Sequence, residues 1–434
     1  MNAREAAYRS LISTEKSGKY SNIELSSSIS KSDLSDADRA LYTSIFYGVI
    51  EKMITLDYFI SYFSSKPIKR LDTATLILLR MGIYQIVFSE KIPDSAAVNE
   101  TVKLAARYSA RSRGFVNAVL RKVCAQRDSL PYPDKNSDRL SYLSVLCSIP
   151  RWICELWESD YPDRLESMLE AVSKKPPITL RVNTKVIDRD ALLEKYDYLE
   201  PCEFSPFGLR LTRSVPIGDI APLRDGECFV QDEVSQLASL ALDPRDGDIV
   251  VDACAAPGGK SFGAALLMHD RGSVLSLDVH GNKLSLIENE AKKLGLSSIK
   301  TAAHDSTEPI AEMIGRADRV ICDVPCSGLG VISKKSDLRY NAKEDARELC
   351  NLQYRILTAA SKYLAVGGVL VYSTCTLRKA ENEDNVARFL HENSHCELMP
   401  FEIGTLRSDD GMLTLFPGMV SSDGFFIAKI TRKK

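Results

Sequence analysis

The sequence predicts a multidomain chain: an all-α helical domain, a small α+β module, and an α/β domain with a mostly parallel, doubly wound sheet. In the first third, apolar residues recur at the spacing of amphipathic helices, without strand-like alternation. From residue 248 onward, short β-branched or apolar runs alternate with helical segments, which is typical of repeated βαβ units. The length of 434 residues favours two or three domains of ordinary globular composition.

The helical domain is predicted over residues 1–127. Its clearest helices carry apolar residues every three or four positions, and the first has Ser35 as its N-cap. These helices are predicted at 36–50, 72–88, 95–107 and 114–126. Residues 128–139 contain two prolines and few apolar side chains, which predicts a linker.

Residues 140–225 are predicted to form the small α+β module, and residues 226–434 the α/β domain. In the module we expect helices at 152–169 and 189–196, and strands at 178–182 and 208–211. A further helix, 230–242, leads into the α/β domain. In that domain we expect five strands (248–253, 274–278, 298–302, 319–323 and 368–373), three helices (259–268, 281–294 and 349–364) and a closing hairpin (412–416 and 424–430).

Composition excludes several classes of protein. No apolar run approaches the roughly 18 residues of a membrane span, and the N-terminus mixes acid and base without the apolar core of a secretory leader. The 11 cysteines are odd in number and form no Cys-x-x-Cys pair. This pattern favours reduced thiols over a disulfide framework or a zinc site. We therefore expect a cytoplasmic protein, a monomer, without membrane segment or metal.

Charge is distributed unevenly along the chain. Residues 1–150 are net basic although the whole chain carries −2, and the 27 residues Thr101–Arg127 contain seven basic residues and no acid. Lys103, Arg107 and Arg111 are four apart, so one helix aligns them, with Arg113 close behind. A solvated helix face explains such a stripe, but the absence of acids favours a nucleic acid partner.

The first chemical signal is the segment Asp252-Ala-Cys-Ala-Ala-Pro-Gly-Gly-Lys260, between a predicted strand and helix. Its glycines permit close approach of a ligand to the backbone, and it fits neither the P-loop nor the G-x-G-x-x-G pattern. The second predicted strand ends in Asp278, which is suited to ribose hydroxyls, and Asp305 follows the third. Each acid alone could be a helix cap, but together they favour a nucleoside cofactor without pyrophosphate. The predicted cofactor residues are Cys254, Ala255, Ala256, Pro257, Gly258, Gly259, Lys260, Asp278, Asp305 and Asp323.

Two further signals end the fourth and fifth strands of this domain: Asp323-Val-Pro-Cys-Ser-Gly328 and Ser373-Thr-Cys-Thr376. Carboxyl ends of parallel strands lie on the ligand edge of such a sheet, so Cys326 and Cys375 are predicted to converge on one cleft. Most cysteines in folded proteins are small buried apolar residues. That explanation fits poorly for two cysteines flanked by Pro, Ser, Thr and Gly at loop starts.

These motifs, together with Arg181-Val-Asn183, resemble the signatures of the bacterial RNA cytosine-5 methyltransferases, and the resemblance covers nearly the whole chain. It implies a Rossmann-like catalytic domain that binds S-adenosylmethionine. The helical third, including Gly114–Arg121, resembles a NusB-like RNA-binding domain. This fusion points to a member of the family that acts on 16S (small-subunit) ribosomal RNA. It also implies RNA binding by the middle module and by Arg181.

The resemblance further implies a covalent mechanism on C5 of cytosine. A cysteine thiolate adds to C6 and makes C5 nucleophilic, and a thiol suits this step because it ionises near neutrality and can also leave. By resemblance, Cys375 is the nucleophile and Cys326 assists breakdown of the adduct, while Asp323 is placed to hydrogen-bond N3. Spacing alone does not assign the two cysteines. Transfer RNA as the substrate and a non-catalytic antitermination factor of the NusB type remain the alternatives.

Overall fold

The computed structural model describes residues 2–17, 34–174, 177–213, 215–341, 346–419 and 422–433. The chain divides into two compact units. The helical unit comprises Met1–Ser173 and Lys335–Tyr340, and the catalytic unit comprises Lys174–Lys334 and Asn341–Lys434. The domain boundaries given by the sequence pattern stay a prediction.

The helical unit is all-α in its described residues. Its helices are Ala3–Ser17, Asp36–Glu51, Met53–Phe63, Thr73–Phe88, Asp94–Tyr108, Arg113–Ala125, Arg139–Cys147, Arg151–Asp160 and Leu165–Val172. Ser35 and Asp72 cap two of them by accepting hydrogen bonds from the backbone N–H groups of Asp38 and Thr75. The four helices predicted between residues 36 and 126 are confirmed.

The single helix predicted over 152–169 is wrong. A 3-10 turn, Pro162–Arg164, separates Arg151–Asp160 from Leu165–Val172. Proline has no N–H to continue the helical hydrogen bonds, so the chain turns there.

The segment Lys335–Tyr340 belongs to the helical unit although it lies between elements of the catalytic unit in sequence. The Arg339 side chain is buried and donates hydrogen bonds of 3.3 Å to the carbonyl oxygens of Glu51, Ser148 and Val172. These carbonyls lie at the C-terminal ends of three helices. One guanidinium thus supplies partners for backbone groups that the helices leave unpaired.

The catalytic unit begins with a four-stranded antiparallel sheet, β1 (Thr179–Val182), β2 (Leu199–Pro201), β3 (Gly208–Leu211) and β4 (Cys228–Val230), in the order β2-β3-β1-β4. Helices Arg189–Lys195 and Ala221–Arg224 accompany it. The predicted helix at 230–242 begins only at Glu233, because Val230 pairs with Leu180 of β1 and Asp232 is the N-cap.

An eight-stranded sheet follows. Its strands are β5 (Ile249–Asp252), β6 (Ser273–Asp278), β7 (Ile299–Ala303), β8 (Ala317–Asp323), β9 (Leu364–Thr374), β10 (Cys396–Leu398), β13 (Met412–Leu415) and β14 (Phe425–Arg432), and β11 (Phe401–Ile403) pairs with β12 (Leu406–Ser408) beside it. The order is β10-β14-β9-β8-β5-β6-β7, with β13 on β14. Strands β5 to β9 are parallel, and β14 is antiparallel to β9. The predicted doubly wound sheet and closing hairpin are confirmed.

Helices Gly259–Leu267, Gly281–Lys293, Ala346–Ser361 and Glu383–Glu392 connect these strands, and two apolar clusters cover the sheet. Strand order reverses between β5 and β8, which have β6 and β9 as their other neighbours. Ligands bind at such a switch point, outside the carboxyl ends of the strands. Among the described residues, no helix is long and apolar enough to cross a membrane.

Candidate active site

The loop between β5 and helix Gly259–Leu267 is shaped by glycine. Gly258 has φ +111°, a region that side chains with a Cβ rarely adopt, and a Cβ there would lie 2.4 Å from the Phe262 ring. The helix therefore starts with exposed backbone N–H groups that a ligand can use. The backbone N–H of Ala256 donates to Asp278 Oδ2 over 3.3 Å, so the loop and the end of β6 lie together as predicted.

Asp278 and Asp305, the two acids predicted to bind the cofactor, can each accept further hydrogen bonds. Asp278 is half-buried and also accepts from the His280 backbone N–H over 2.8 Å. Asp305 is exposed, and the Thr307 backbone N–H and hydroxyl both donate to its Oδ1, which lowers the pKa of Asp305. Carboxyl oxygens at these positions can accept hydrogen bonds from a nucleoside. The residues present thus fit S-adenosylmethionine.

Asp252 precedes this loop and is almost fully buried, with 1% of its surface exposed. Its Oδ2 accepts from the Ser261 hydroxyl over 2.6 Å, and its Oδ1 has no hydrogen-bond partner. Burial, reinforced by the nearby Asp323 carboxylate, raises the pKa of Asp252 to about 7. Asp252 is therefore a proton-holding group beneath the cofactor loop.

Lys260 is directed toward the end of β8. Its Nζ donates to Asp323 Oδ2 over 2.6 Å and to the Ser235 hydroxyl over 2.9 Å, and it lies 5.3 Å from the centroid of the Phe425 ring. The hydroxyl of Ser373 donates to the other oxygen of Asp323 over 2.7 Å. Both oxygens of Asp323 thus accept hydrogen bonds. The sequence analysis missed Ser235 and Phe425, which carry no motif signal, and it gave Ser373 no role although this residue opens the second cysteine motif.

The two predicted cysteines meet. The Sγ atoms of Cys326 and Cys375 are 3.0 Å apart, and the backbone N–H of Cys375 lies 3.3 Å from Cys326 Sγ. Both cysteines are free thiols and half-buried. The hydrogen bond with Cys375, together with burial, raises the pKa of Cys326 well above its usual value. In this arrangement one sulfur of the pair can donate its proton to the other.

A buried carboxylate supports the loop that carries Cys326. Glu381 is fully buried and accepts from the Ser327 backbone N–H (3.0 Å), the Ser327 hydroxyl (2.5 Å) and Gln353 Nε2 (2.8 Å). Gln353 also donates to the carbonyl of Pro325 over 2.9 Å. The backbone on both sides of Cys326 is thereby fixed. Glu381 escaped the sequence analysis because it stands in a charged stretch that resembles a solvated surface.

The predicted RNA-contacting residues have different surroundings. Lys103 Nζ lies 2.6 Å from Glu100 Oε1, and Arg107 Nη1 lies 3.1 Å from Glu5 Oε2. Arg111 and Arg113 are exposed. The stripe that lacks acids in sequence is thus partly neutralised by acids that the fold brings to it.

The prediction that Arg181 contacts RNA is wrong, because its side chain is buried in the catalytic unit with only 1% exposed. Its Nη2 donates to the carbonyl of Gly263 over 3.3 Å, and its guanidinium lies 5.5 Å from the centroid of the Phe207 ring. Burial without a carboxylate partner lowers the pKa of Arg181 to about 9. Arg181 packs β1 against the helix that follows the cofactor loop.

Comparison with known proteins agrees with this geometry. Residues 239–431 match the family model described as 16S rRNA methyltransferase RsmB/F, residues 1–125 match the NusB family, and residues 149–218 match the ferredoxin-like domain of RsmF/B-like methyltransferases. A probable ribosomal RNA small subunit methyltransferase B of Bacillus subtilis is 36% identical, over 99% of this chain and 98% of its own length. The chain belongs to the 16S rRNA methyltransferase RsmB/F family.

Two further relatives support the assignment. The ribosomal RNA small subunit methyltransferase B of Escherichia coli O127:H6 is 31% identical, over 92% of each chain. A solved methyltransferase homolog protein from Pyrococcus horikoshii superposes with a TM-score of 0.60 at 28% identity, covering 68% of this chain and 99% of its own. The methyltransferase fold and the NusB-like helical domain are thus confirmed. The family uses S-adenosylmethionine, and so does this protein.

Proposed function

We propose that this methyltransferase modifies C5 of one cytosine in 16S ribosomal RNA through a covalent adduct between Cys375 and C6. The observation that carries the proposal is the pair of thiols, 3.0 Å apart, at the edge of the sheet that holds the cofactor loop. Relatives at 31–36% identity, named for methylation of small-subunit ribosomal RNA, support the substrate.

The reaction needs a nucleophile because C5 of cytosine is too weak to take a methyl group unaided. The Cys375 thiolate forms a bond to C6, and the electrons of the C5–C6 double bond move to C5. When bound, S-adenosylmethionine supplies the methyl group that C5 takes up. Water takes the C5 proton, the electrons of the C5–H bond restore the C5–C6 double bond, and the electrons of the C6–S bond leave with Cys375 as its thiolate.

The surroundings of the two sulfurs support the division of roles. The resemblance to the RNA cytosine-5 methyltransferases makes Cys375 the attacking thiolate, which leaves Cys326 as the protonated partner of the pair. Its S–H lies beside Cys375 Sγ and can donate a hydrogen bond to that sulfur as it leaves C6. We therefore assign attack to Cys375 and assistance in release to Cys326.

Asp323 and Lys260 face the base in this proposal. Negative charge develops on the ring when the thiolate adds, and a donor at N3 stabilises it. An ionised carboxylate only accepts hydrogen bonds, so donation from Asp323 to N3 requires that the carboxyl carry a proton in the adduct; Lys260 Nζ and the Ser373 hydroxyl, 2.6 and 2.7 Å from its two oxygens, hold it in place. A target inside a duplex has to be extruded or unpaired before it reaches these groups.

Cysteine variants test the mechanism. After incubation with S-adenosylmethionine and small-subunit ribosomal RNA, Cys326→Ala should give a slow-migrating, nuclease-sensitive species on a denaturing gel, because the adduct forms but resolves slowly. Cys375→Ala should give no such species and no methylation. Cys124→Ala, a half-buried cysteine of the helical unit, is the control and should behave like the unaltered protein. A covalent species with Cys375→Ala would reverse the roles, and full activity in both active-site variants would refute covalent catalysis.

The substrate is tested separately by bisulfite mapping of RNA from a strain that lacks the gene. We expect one unmethylated cytosine in 16S ribosomal RNA, restored by the intact gene and not by Cys375→Ala. Loss of methylation in transfer RNA alone would make this a transfer RNA methyltransferase. No change in either RNA would favour a non-catalytic RNA-binding role.

A further inference from the structure

The helical unit carries a basic surface that two separate stretches of the chain build together. We define this composite basic surface as Lys66, Lys69, Arg70, Arg121 and Lys122, all of them exposed. Three lie in the connection after helix Met53–Phe63, and two lie on helix Arg113–Ala125. Neither stretch holds an acid: none occurs between Asp57 and Asp72, nor between Glu100 and Asp128.

Direct contacts join the two stretches. Lys122 Nζ donates to the carbonyl of Phe63 over 3.2 Å, and Lys66 Nζ lies 5.3 Å from the centroid of the Phe115 ring. Phe115 and Lys122 are seven residues apart, so they lie two turns apart on the same side of their helix. The connection therefore runs along this helix, and Lys66 and Lys122 are the two cations whose contacts join the stretches.

The composite basic surface is not neutralised. Within the described residues, none of its five cations has a carboxylate within salt-bridge distance, in contrast with Lys103 and Arg107, whose partners are Glu100 and Glu5. Lys122 donates one hydrogen bond to a carbonyl, and this contact does not neutralise its positive charge. Five like charges held together this way repel one another, and a polyanion relieves that repulsion.

One aromatic ring contacts a cation of this surface, and a second, exposed ring belongs to the same stretch of chain. Tyr62 has 59% of its surface exposed and precedes Phe63, whose carbonyl binds Lys122. Phe115 is half-exposed beneath Lys66. Cations interleaved with exposed aromatic rings suit RNA, in which phosphates take the charge and unpaired bases stack on rings. Gly114 adds an open approach, since a Cβ there would meet nothing within 4 Å.

From these observations we infer that the composite basic surface, and not the Lys103–Arg107–Arg111 stripe, is where the helical unit binds the ribosomal RNA substrate. The inference rests on the proposed function, because the RNA is the one that the catalytic unit methylates. An acidic protein partner is the competing occupant. It would need the charges but not the exposed ring of Tyr62.

Salt dependence of RNA binding by the full chain provides the test. We compare Lys66→Gln/Arg70→Gln/Lys122→Gln with the matched triple variant Lys103→Gln/Arg107→Gln/Arg111→Gln, which removes the same formal charge. With a small-subunit ribosomal RNA fragment, the first variant should flatten the plot of log affinity against log salt by about 2–3 units, since each phosphate contact contributes about 0.7–0.9. The second should change it by about one unit or less, because two of its three cations are paired with acids.

Further measurements separate the possible failures. Tyr62→Ala should weaken binding of single-stranded RNA severalfold without altering the salt slope. The first triple variant should raise the KM for RNA more than it lowers kcat, and its affinity for S-adenosylmethionine, measured by calorimetry, shows that the fold is kept. Equal flattening by both triple variants, or none by the first, would overturn the inference while leaving the proposed function intact. Absence of 16S ribosomal RNA methylation by the unaltered protein would instead overturn the proposed function.

Discussion

The substitution Asp252→Asn should remove the part of the pH dependence of the free energy of unfolding that comes from the Asp252 carboxyl. Asp252 is fully buried beneath the cofactor loop, one of its oxygens lacks a partner, and burial raises its pKa from 3.8 to about 7. In the unfolded chain the carboxyl ionises near pH 4, whereas in the native protein it keeps its proton until about pH 7. Between these values the native state binds more protons, so the free energy of unfolding falls as pH rises.

The size of the effect follows from the shift. A rise of about three units at about 1.4 kcal/mol per unit gives a total near 4 kcal/mol. Roughly 2.5 kcal/mol of this stabilisation is lost between pH 5 and pH 8, because native Asp252 gives up its proton over this range and is about half protonated at pH 7. Asparagine keeps the shape and an acceptor for Ser261 but does not titrate. The difference between the unaltered protein and Asp252→Asn should therefore change by roughly 2.5 kcal/mol over this range.

Hydrogen exchange of peptides that contain β5 is the suitable assay. Both tryptophans, Trp152 and Trp157, lie in the helical unit, so their fluorescence does not report on this sheet. Asp270→Asn is the control, because hydrogen bonds, including that from Lys185, lower the pKa of Asp270 and its titration ends below pH 5. Its difference from the unaltered protein should be constant from pH 5 to pH 8. A constant difference for Asp252→Asn as well would refute the reasoning about burial.

Three other predictions concern the same unit. Asp278→Ala should weaken S-adenosylmethionine binding by about 1.5–3 kcal/mol in calorimetry, which is the scale of a charge-assisted hydrogen bond. Asp305→Ala should weaken it less, because Asp305 is exposed. Equal losses of affinity would contradict this order. Gly263→Ala should lower the midpoint of urea unfolding, because the added Cβ would lie 2.4 Å from Arg181 Nη1. An unchanged midpoint would mean that the arginine side chain moves aside without cost. Glu381→Gln should reduce kcat for methylation without changing affinity for S-adenosylmethionine, because the Cys326 loop loses an acceptor for Ser327; a fall in cofactor affinity instead would show a general loss of fold.

Local patterns carried much of the correct prediction. Helix periodicity located Thr73–Phe88 and Asp94–Tyr108; the second buries one apolar face, whereas the first is buried on most of its circumference. Alternating strands and helices predicted the parallel sheet, and parallel strands place their carboxyl ends on one edge. The convergence of Cys326 on Cys375, which are 49 positions apart, follows from that rule. Fold class and the convergence of the two cysteines were therefore readable from residue order.

Other features depend on which distant segments meet. Arg181 stands in a strand flanked by apolar residues, and nothing local shows that the Gly263 carbonyl lies above it. Arg107 stands in a stretch without acids, yet Glu5, 102 positions earlier, lies 3.1 Å from its guanidinium. Glu381 belongs to a charged run and is buried all the same.

By itself the sequence determined the class of fold and the residues at the strand ends, since these depend on periodicity and spacing along the chain, and its motifs indicated the class of reaction through the family that they resemble. Only the tertiary structure decided which cations have no carboxylate partner and which residue fixes the loop that carries Cys326. It also placed Lys335–Tyr340 in the helical unit, and joined residues 63–70 to helix Arg113–Ala125 in one basic surface. The physical reason is that burial and charge pairing arise from contacts between segments far apart in sequence, and no local pattern records those contacts.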